Sequence, residues 1–300
     1  CSIASDLAAI TVNYVACQME LVGNSMKCTE KSTNKHKMRE AFQQGGDPSP
    51  KSILVHSAKK LENITLEYPV IVKPVDRSGS RGITKVESLN GLAKAIESAK
   101  VQGFEKEEYS VECISCQGEH HFLAMTKKFT TGAPGFVETG HLEPAPVSGQ
   151  ILEQVKKVVF HALDTLEICN SASHTELKIS LSGKIALIEI GGRMGGDCIG
   201  SSLVELSTGI DFVRAVIEIA LGKKPDLRKR HKGKAAAVRF VFDQKDIDAL
   251  NDLKRNHPDY LVEEDIHPIH SGIVTDSSAR FGYYLMKAEN YEELLPYLPK

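Results

Sequence analysis

The sequence predicts an α/β or α+β protein in two or three lobes, and three observations carry that expectation. Helical and strand patterns alternate along the chain. A Gly/Pro-rich stretch, GGDPSPKS, divides a helical beginning from a mixed remainder. The 300 residues also exceed the ~100–200 that one compact unit usually takes.

Residues 6–21, DLAAITVNYVACQMEL, have helical spacing and are closed by Gly23-Asn24. A second helix is expected over STNKHKMREAF, with polar residues at its start and Gly45-Gly46 beyond its end. From Ser52 strands are expected at 52–56, 69–75 and 83–86, then a helix after Ser88 through LAKAIESA. Two further strands, YSVECIS and HHFLAMTKKF, flank a turn at Gln117-Gly118. The stretch TTGAPGFVETGHLEPAPVS lacks periodicity and reads as a long loop, a kind of segment that is often functional in compact domains. An amphipathic helix over 149–167 turns Val155, Val158, Val159, Ala162, Leu163 and Leu166 inward. A hairpin and one longer helix, SSLVELSTGIDFVRAVIEIALG, come next, and strand and helix alternate again from Ala235. The chain carries no internal repeat and no low-complexity block.

Composition excludes several classes. Charged residues make up 25% and hydrophobic ones 41%, an ordinary globular mixture. A formal charge of −2 argues against nucleic acid as a partner, and the basic run KKPDLRKRHKGK reads as a solvated connection. No apolar run reaches the ~18 residues of a membrane span. Seven scattered cysteines suit a reducing compartment, so a cytoplasmic protein is expected. Cys113-x-x-Cys116 has no second pair at metal-ligand spacing and is read as coincidence. The chain opens on Cys1 and looks like a piece of a longer protein whose beginning is missing.

The segment HTELKISLSGKIALIEIGGR contains two β-like runs joined by Ser182-Gly183, a favoured two-residue turn. With that loop Leu181 faces Lys184, and counting outward sets Glu176 across from Glu189. Two carboxylates ~5 Å apart on one face repel each other, and a divalent cation would remove the repulsion and use both groups. The alternative is a one-residue slip, or two side chains that both reach water. Arg193 follows where the strand gives way to GGRMGGD. A dinucleotide fingerprint would need glycine at that position, and no Walker-type phosphate loop occurs.

Residues 68–83, YPVIVKPVDRSGSRGI, pair a strand ending in Lys73 with a small-residue loop. Together with Glu112…Glu119 and TELKISLSGKIALIEIGGR, this order resembles the ATP-grasp ligases, over almost everything from Thr33 to Gly222. STNKHKMREAF, FVETGHLEPA and HTELKI are most similar to the L-amino-acid ligases and carnosine-synthase-like enzymes, with carbamoyl-phosphate synthetase and biotin carboxylase more distant.

The resemblance implies an α+β ATP-grasp fold, two lobes clamping ATP, behind the remnant of a Rossmann-like domain. The expected boundaries are 1–44 for the remnant, 45–115 for the small lobe and 116–300 for the large lobe with its C-terminal extension. Lys35 and Lys73 would reach the phosphates of ATP, and Ser78, Gly79, Ser80, Arg81 and Gly82 would fold over them. Glu112, with the backbone of Cys113 and Ile114, would border adenine, and Glu119 would accept from ribose. Glu176 and Glu189 would hold Mg²⁺ or Mn²⁺, Arg193 would stabilise charge at the reacting centre, and Glu138 and His141 would lie near an amino-acid substrate. The implied activity is ATP-dependent amide formation through an acyl phosphate, with a small carboxylate and an amine as partners, and a homodimer among the assemblies allowed. A bicarbonate-using enzyme of the carbamoyl-phosphate-synthetase kind and a catalytically weak ATP-binding module are the alternatives. The second is raised by Gly191, where the family usually carries a metal-binding Asn.

Overall fold

A computed structural model describes residues 4–55, 66–73, 84–89, 91–92, 107–132, 137–269 and 279–299, and among these residues the strands form two antiparallel sheets. The smaller consists of β1 (Val70–Val72) and β2 (Thr84–Val86). The larger is built from β3 (Glu107–Cys116), β4 (Glu119–Thr130), β5 (Glu138–Glu143), β6 (Ser171–Ile179), β7 (Ile185–Gly191), β8 (Ala235–Phe240), β9 (Leu261–Ile266) and β10 (Gly282–Ala288). Its order is β7-β6-β3-β4-β5-β8-β10-β9, antiparallel at every junction. The expected boundary at 115/116 therefore falls inside the β3–β4 hairpin, whose turn residues Gln117 and Gly118 both take positive φ, 53° and 81°. That is the backbone a tight two-residue hairpin needs.

Three helices precede the sheets: α1 (Asp6–Gln18), α2 (Met26–Thr33) and α3 (Lys35–Gly45). The single helix expected over 32–42 is broken at Asn34, whose backbone is extended and whose side chain accepts from His36 N and Lys37 N. An Asn in that role ends one helix and starts the next, a cap worth about 1 kcal/mol. Asn24 docks this unit on the large sheet: Oδ1 accepts from Cys169 N and Asn170 N, and Nδ2 donates to Ser171 Oγ at 2.8 Å.

Strand alternation splits the large sheet's faces. Tyr109, Val111, Cys113, Leu177 and Leu187 point to one side and pack with Met38 and Phe42 of α3 and with Val155, Val159 and Leu163 of α4 (Gly149–Thr165). On the other side Ile114, Ala172 and Val238 pack with Leu203, Val204 and Phe212, from a π-helical turn, α5 (Val204–Thr208) and α6 (Phe212–Ala220). Cys113 and Cys116 thus lie in different cores, against any joint metal or redox role. The expected long helix over 201–222 is interrupted at Gly209. A third core surrounds α7 (Gln244–Asn256) through Leu250, Leu253 and Tyr284.

Three further expectations need correcting. The long loop contains β5, which pairs with β4 and β8. Residues 52–55 form no strand. The β6–β7 loop is Leu181, Ser182 and Gly183 rather than two residues: Ser180 N donates to Lys184 O, and Gly183 takes φ +79°. This three-residue loop shifts the pairing by one, to Ile179↔Ile185 and Leu177↔Leu187, and an irregularity before Glu176 shifts it back. Glu176 ends up opposite Glu189 as expected, with Ile188 as the extra residue.

Candidate active site

The half of the sheet face not covered by α5 and α6 carries charge, set out on cross-strand rows. One row runs Lys178, Glu108, Lys128, His141 across β6, β3, β4 and β5. The next runs Glu189, Glu176, Ser110, Thr126, and the third Gly191, His174, Glu112, Ala124, each from β7 to β4. Neighbours in such rows lie ~5 Å apart, close enough for direct contact.

Each of the opposed glutamates is met by a lysine. Lys35, the first residue of α3, places Nζ 2.7 Å from Glu189 Oε1. Lys128, nearly fully buried, is 2.8 Å from Glu176 and 2.8 Å from Glu138, with Glu108 at 3.5 Å. Burial opposes charge on Glu176, but Lys128 and His174 outweigh it and hold the carboxyl well below its usual range. Behind Glu189, Arg39 donates to Leu187 O at 2.9 Å and Ile188 O at 2.6 Å, supporting the bulge. Lys73, just past β1, shares this environment. Burial pushes its ammonium down to about 8, as do Arg39 and Lys35, while Glu189 and Glu176 pull it back. Lys35, Lys73, Glu176 and Glu189 are therefore brought together. The donor set fits a hard divalent cation, since two carboxylates face one another with ammonium groups in counter-ion positions.

Arg193 lies beside this group, but its fork is engaged. Nε donates to Asp6 Oδ1 at 2.7 Å, NH2 to Asp6 Oδ2 at 3.2 Å and NH1 to Met194 O. Glu112, expected to border adenine, lies inside the large sheet. It is fully buried, contacting His174 Nδ1 at 2.5 Å and accepting from Gly195 N at 2.9 Å. Cys113 and Ile114, with backbone expected beside adenine, lie in β3 between β4 and β6, next to an irregularity in the pairing between Glu112 and Cys113. Glu119 is exposed at the hairpin tip, opposite Cys116 and six residues from Ser110, ~20 Å along the strand. Ser78, Gly79, Ser80, Arg81 and Gly82 lie outside the described residues.

Glu138 and His141, from β5, meet Asp197 with ligand atoms within 4.8 Å of one another. A metal is not needed for charge balance there. Lys128 holds Glu138, and Arg280 holds Asp197 through two contacts of 2.8 Å, reaching Glu138 at 3.3 Å. The Arg280 guanidinium also lies 3.6 Å from the centre of the Phe240 ring. Among the described residues, His141 Nδ1 and Nε2, Thr139 Oγ1 and Arg280 Nε are buried without a hydrogen-bond partner, with His141 Nε2 3.9 Å from Asp197 Oδ2. A pocket with both signs of charge and unused polar atoms suits a small polar, zwitterionic molecule.

Sequence reasoning missed Asp6, Arg39, Lys128, His174, Asp197 and Arg280 as site residues. His174 was within reach, because two residues before Glu176 on a strand means the same face. The others meet the site only through tertiary structure.

The fold is the α+β ATP-grasp fold. Residues 100–201 match the ATP-grasp domain family, and residues 51–103 match the D-ala D-ala ligase C-terminus. The alanine–anticapsin ligase of Bacillus subtilis is 26% identical over 250 residues, 71% of this chain and 52% of that protein. The chain thus spans about half the length of that relative. Among solved structures, an L-amino acid ligase from Bacillus licheniformis superposes with a TM-score of 0.80 at 24% identity, covering 96% of this chain and 76% of that one. A phosphoribosylglycinamide synthetase from Anaerococcus prevotii gives 0.72 at 21% identity, covering 97% and 77%.

Proposed function

We propose that the chain carries out ATP-dependent ligation of a small carboxylate, an amino acid, to an amine. The observation behind this reading is the opposed pair Glu176 and Glu189 ringed by Lys35, Lys73, Lys128 and Arg193, next to the mixed-charge pocket of Glu138, His141 and Arg280. Glu176 and Glu189 would hold Mg²⁺ or Mn²⁺, which supplies charge neutralisation on the phosphates when bound. Lys35 and Lys73 would bind ATP phosphate oxygens, and Glu138, His141 and Arg280 would orient the amino acid.

In the proposed reaction a carboxylate oxygen attacks the γ-phosphorus, the bond from that phosphorus to the β-bridging oxygen breaks, and ADP leaves. The amine nitrogen then adds to the acyl carbon. The carbon–oxygen bond to phosphate breaks, phosphate leaves, and the nitrogen gives up a proton to complete the amide. The side chains position groups and balance charge.

The test is hydroxylamine trapping during a screen of amino acids, singly and in pairs, for ADP release. Hydroxamate forming in step with ADP supports the reading. ADP release that needs bicarbonate and no amino acid would replace it with the carboxyphosphate chemistry of a carbamoyl-phosphate-synthetase-like enzyme. ATP binding without turnover would replace it with a binding module.

A further inference from the structure

Glu112 is a carboxylate with no exposed surface, and it does not stand alone. One oxygen contacts His174 Nδ1 at 2.5 Å, and the other accepts from the backbone N–H of Gly195 at 2.9 Å. The opposite nitrogen of the same ring, Nε2, lies 3.6 Å from Glu176 Oε1. The chain of contacts therefore runs from the loop bearing Arg193 and Asp197, through a buried carboxylate and imidazole, to one of the two opposed glutamates. No side chain fits at Gly195: a Cβ there would lie 2.8 Å from His174 Nδ1 and 2.9 Å from Glu112 Oε1. Backbone, carboxylate and ring are packed as one unit.

We propose that Glu112 and His174 are positioning residues, which fix the Glu176 carboxylate for a divalent cation and lock the Arg193 loop to it. The inference rests on the reading of Glu176 and Glu189 as cation ligands. Groups that orient a metal ligand from behind typically account for a 10–100-fold difference in metal affinity. A buried carboxylate with both oxygens committed suits that work, because its partners leave it one orientation. His174, shared between Glu112 and Glu176, transmits the orientation, and the same Glu112 sets the height of the loop that delivers Arg193.

The test measures Mn²⁺ uptake by electron paramagnetic resonance, with the non-hydrolysable analogue adenylyl imidodiphosphate present, alongside thermal unfolding and metal-free analogue affinity. The first variant combines His174→Leu with Glu112→Gln, which leaves no orphaned buried charge and keeps an acceptor for Gly195 N–H. The second, Gly195→Ala, retains both side chains and forces them apart. Mn²⁺ affinity is expected to fall ~10–100-fold, with analogue affinity unchanged and each variant still folding cooperatively, though melting below the parent. If the first variant does not fold, Gly195→Ala decides. Unchanged Mn²⁺ affinity in a folded variant overturns the positioning role and leaves the glutamate pair as cation ligands. A parent chain that takes up no Mn²⁺ beyond what the analogue binds overturns the cation reading, and this inference with it.

Discussion

Asp6 and Arg193, 187 residues apart, are joined by two hydrogen bonds of 2.7 and 3.2 Å, and Gly191 is the residue that makes room for them. A Cβ at 191 would stand 3.1 Å from Asp6 Oδ1 and 3.3 Å from Arg193 Cγ. Where the resembling family carries Asn, this chain has a glycine with a carboxylate from α1 in the adjoining space. Asp6 also raises the Arg193 guanidinium's pKa against the effect of burial, so its charge stays fixed.

The contact predicts a non-additive pair of substitutions. Gly191→Asn should destabilise the protein, because the new side chain meets the Asp6–Arg193 bridge. Combined with Asp6→Ala it should cost less than the sum of the single changes, with a coupling of about 1–3 kcal/mol, the range for groups in direct contact. Thermal or urea unfolding of the four proteins measures this, and strict additivity would count against it.

Lys73→Met should separate stability from binding. The ammonium is held at about 8 by burial and by Arg39 and Lys35, against an ordinary 10.5. A base with a depressed folded pKa carries a full penalty below about 8. The penalty fades between 8 and 10.5, as the folded protein sheds the proton before the unfolded chain does. The variant should therefore melt higher than the parent at pH 7, by at least about 2 °C, with a smaller advantage at pH 9.5. Its ATP affinity should drop by ~1.5–3 kcal/mol, the scale of a lost charged partner. Calorimetry reporting equal ATP affinity would remove Lys73 from the phosphate site.

Glu176→Gln should raise the Mg²⁺ concentration needed for half-maximal ADP release about tenfold or more, because one of two opposed charges is lost. Lys128 keeps Glu138 and Glu108 as partners, so folding should survive. An unaltered Mg²⁺ requirement would exclude Glu176 as a cation ligand.

How far the sequence disclosed these groups depends on whether neighbours along the chain or across it define them. The Glu176–Glu189 pair follows from two strand patterns and a turn, although the route contained two offsetting errors. The loop is one residue longer than Ser182-Gly183 suggests, and the bulge at Ile188 restores the count. The bulge is held by Arg39, which lies outside the hairpin and which no local pattern could connect to it. Strand β5 escaped notice because His141 and Glu143, both buried among Phe240, Thr126 and Ser207, stand where apolar alternation would be expected. Glu112, expected beside adenine from its order among the motifs, lies across from His174 inside the sheet, a neighbour that only the β3–β6 pairing supplies.

Glu143 is a carboxyl with no exposed surface that the proposed chemistry does not use. It accepts from Thr126 Oγ1 at 2.6 Å and Ser207 Oγ at 2.5 Å, tying β5 to β4 and α5. Burial raises its pKa to about 7, with Ser207 and Thr126 working against the rise and Glu112 adding to it. An acid whose folded pKa exceeds its unfolded one binds more protons when folded, so its contribution to stability declines as pH rises from about 4.5 to 7. Above that window the buried charge carries its full penalty, on the order of 3 kcal/mol. Glu143→Gln removes the charge and keeps a neutral group of the same shape that the two hydroxyls can still meet. It should unfold at higher temperature than the parent at pH 8, with the difference shrinking steadily towards pH 5. A constant difference across that range would mean that Glu143 does not titrate there. A variant less stable than the parent at pH 8 would mean that its hydrogen bonds outweigh the burial of its charge.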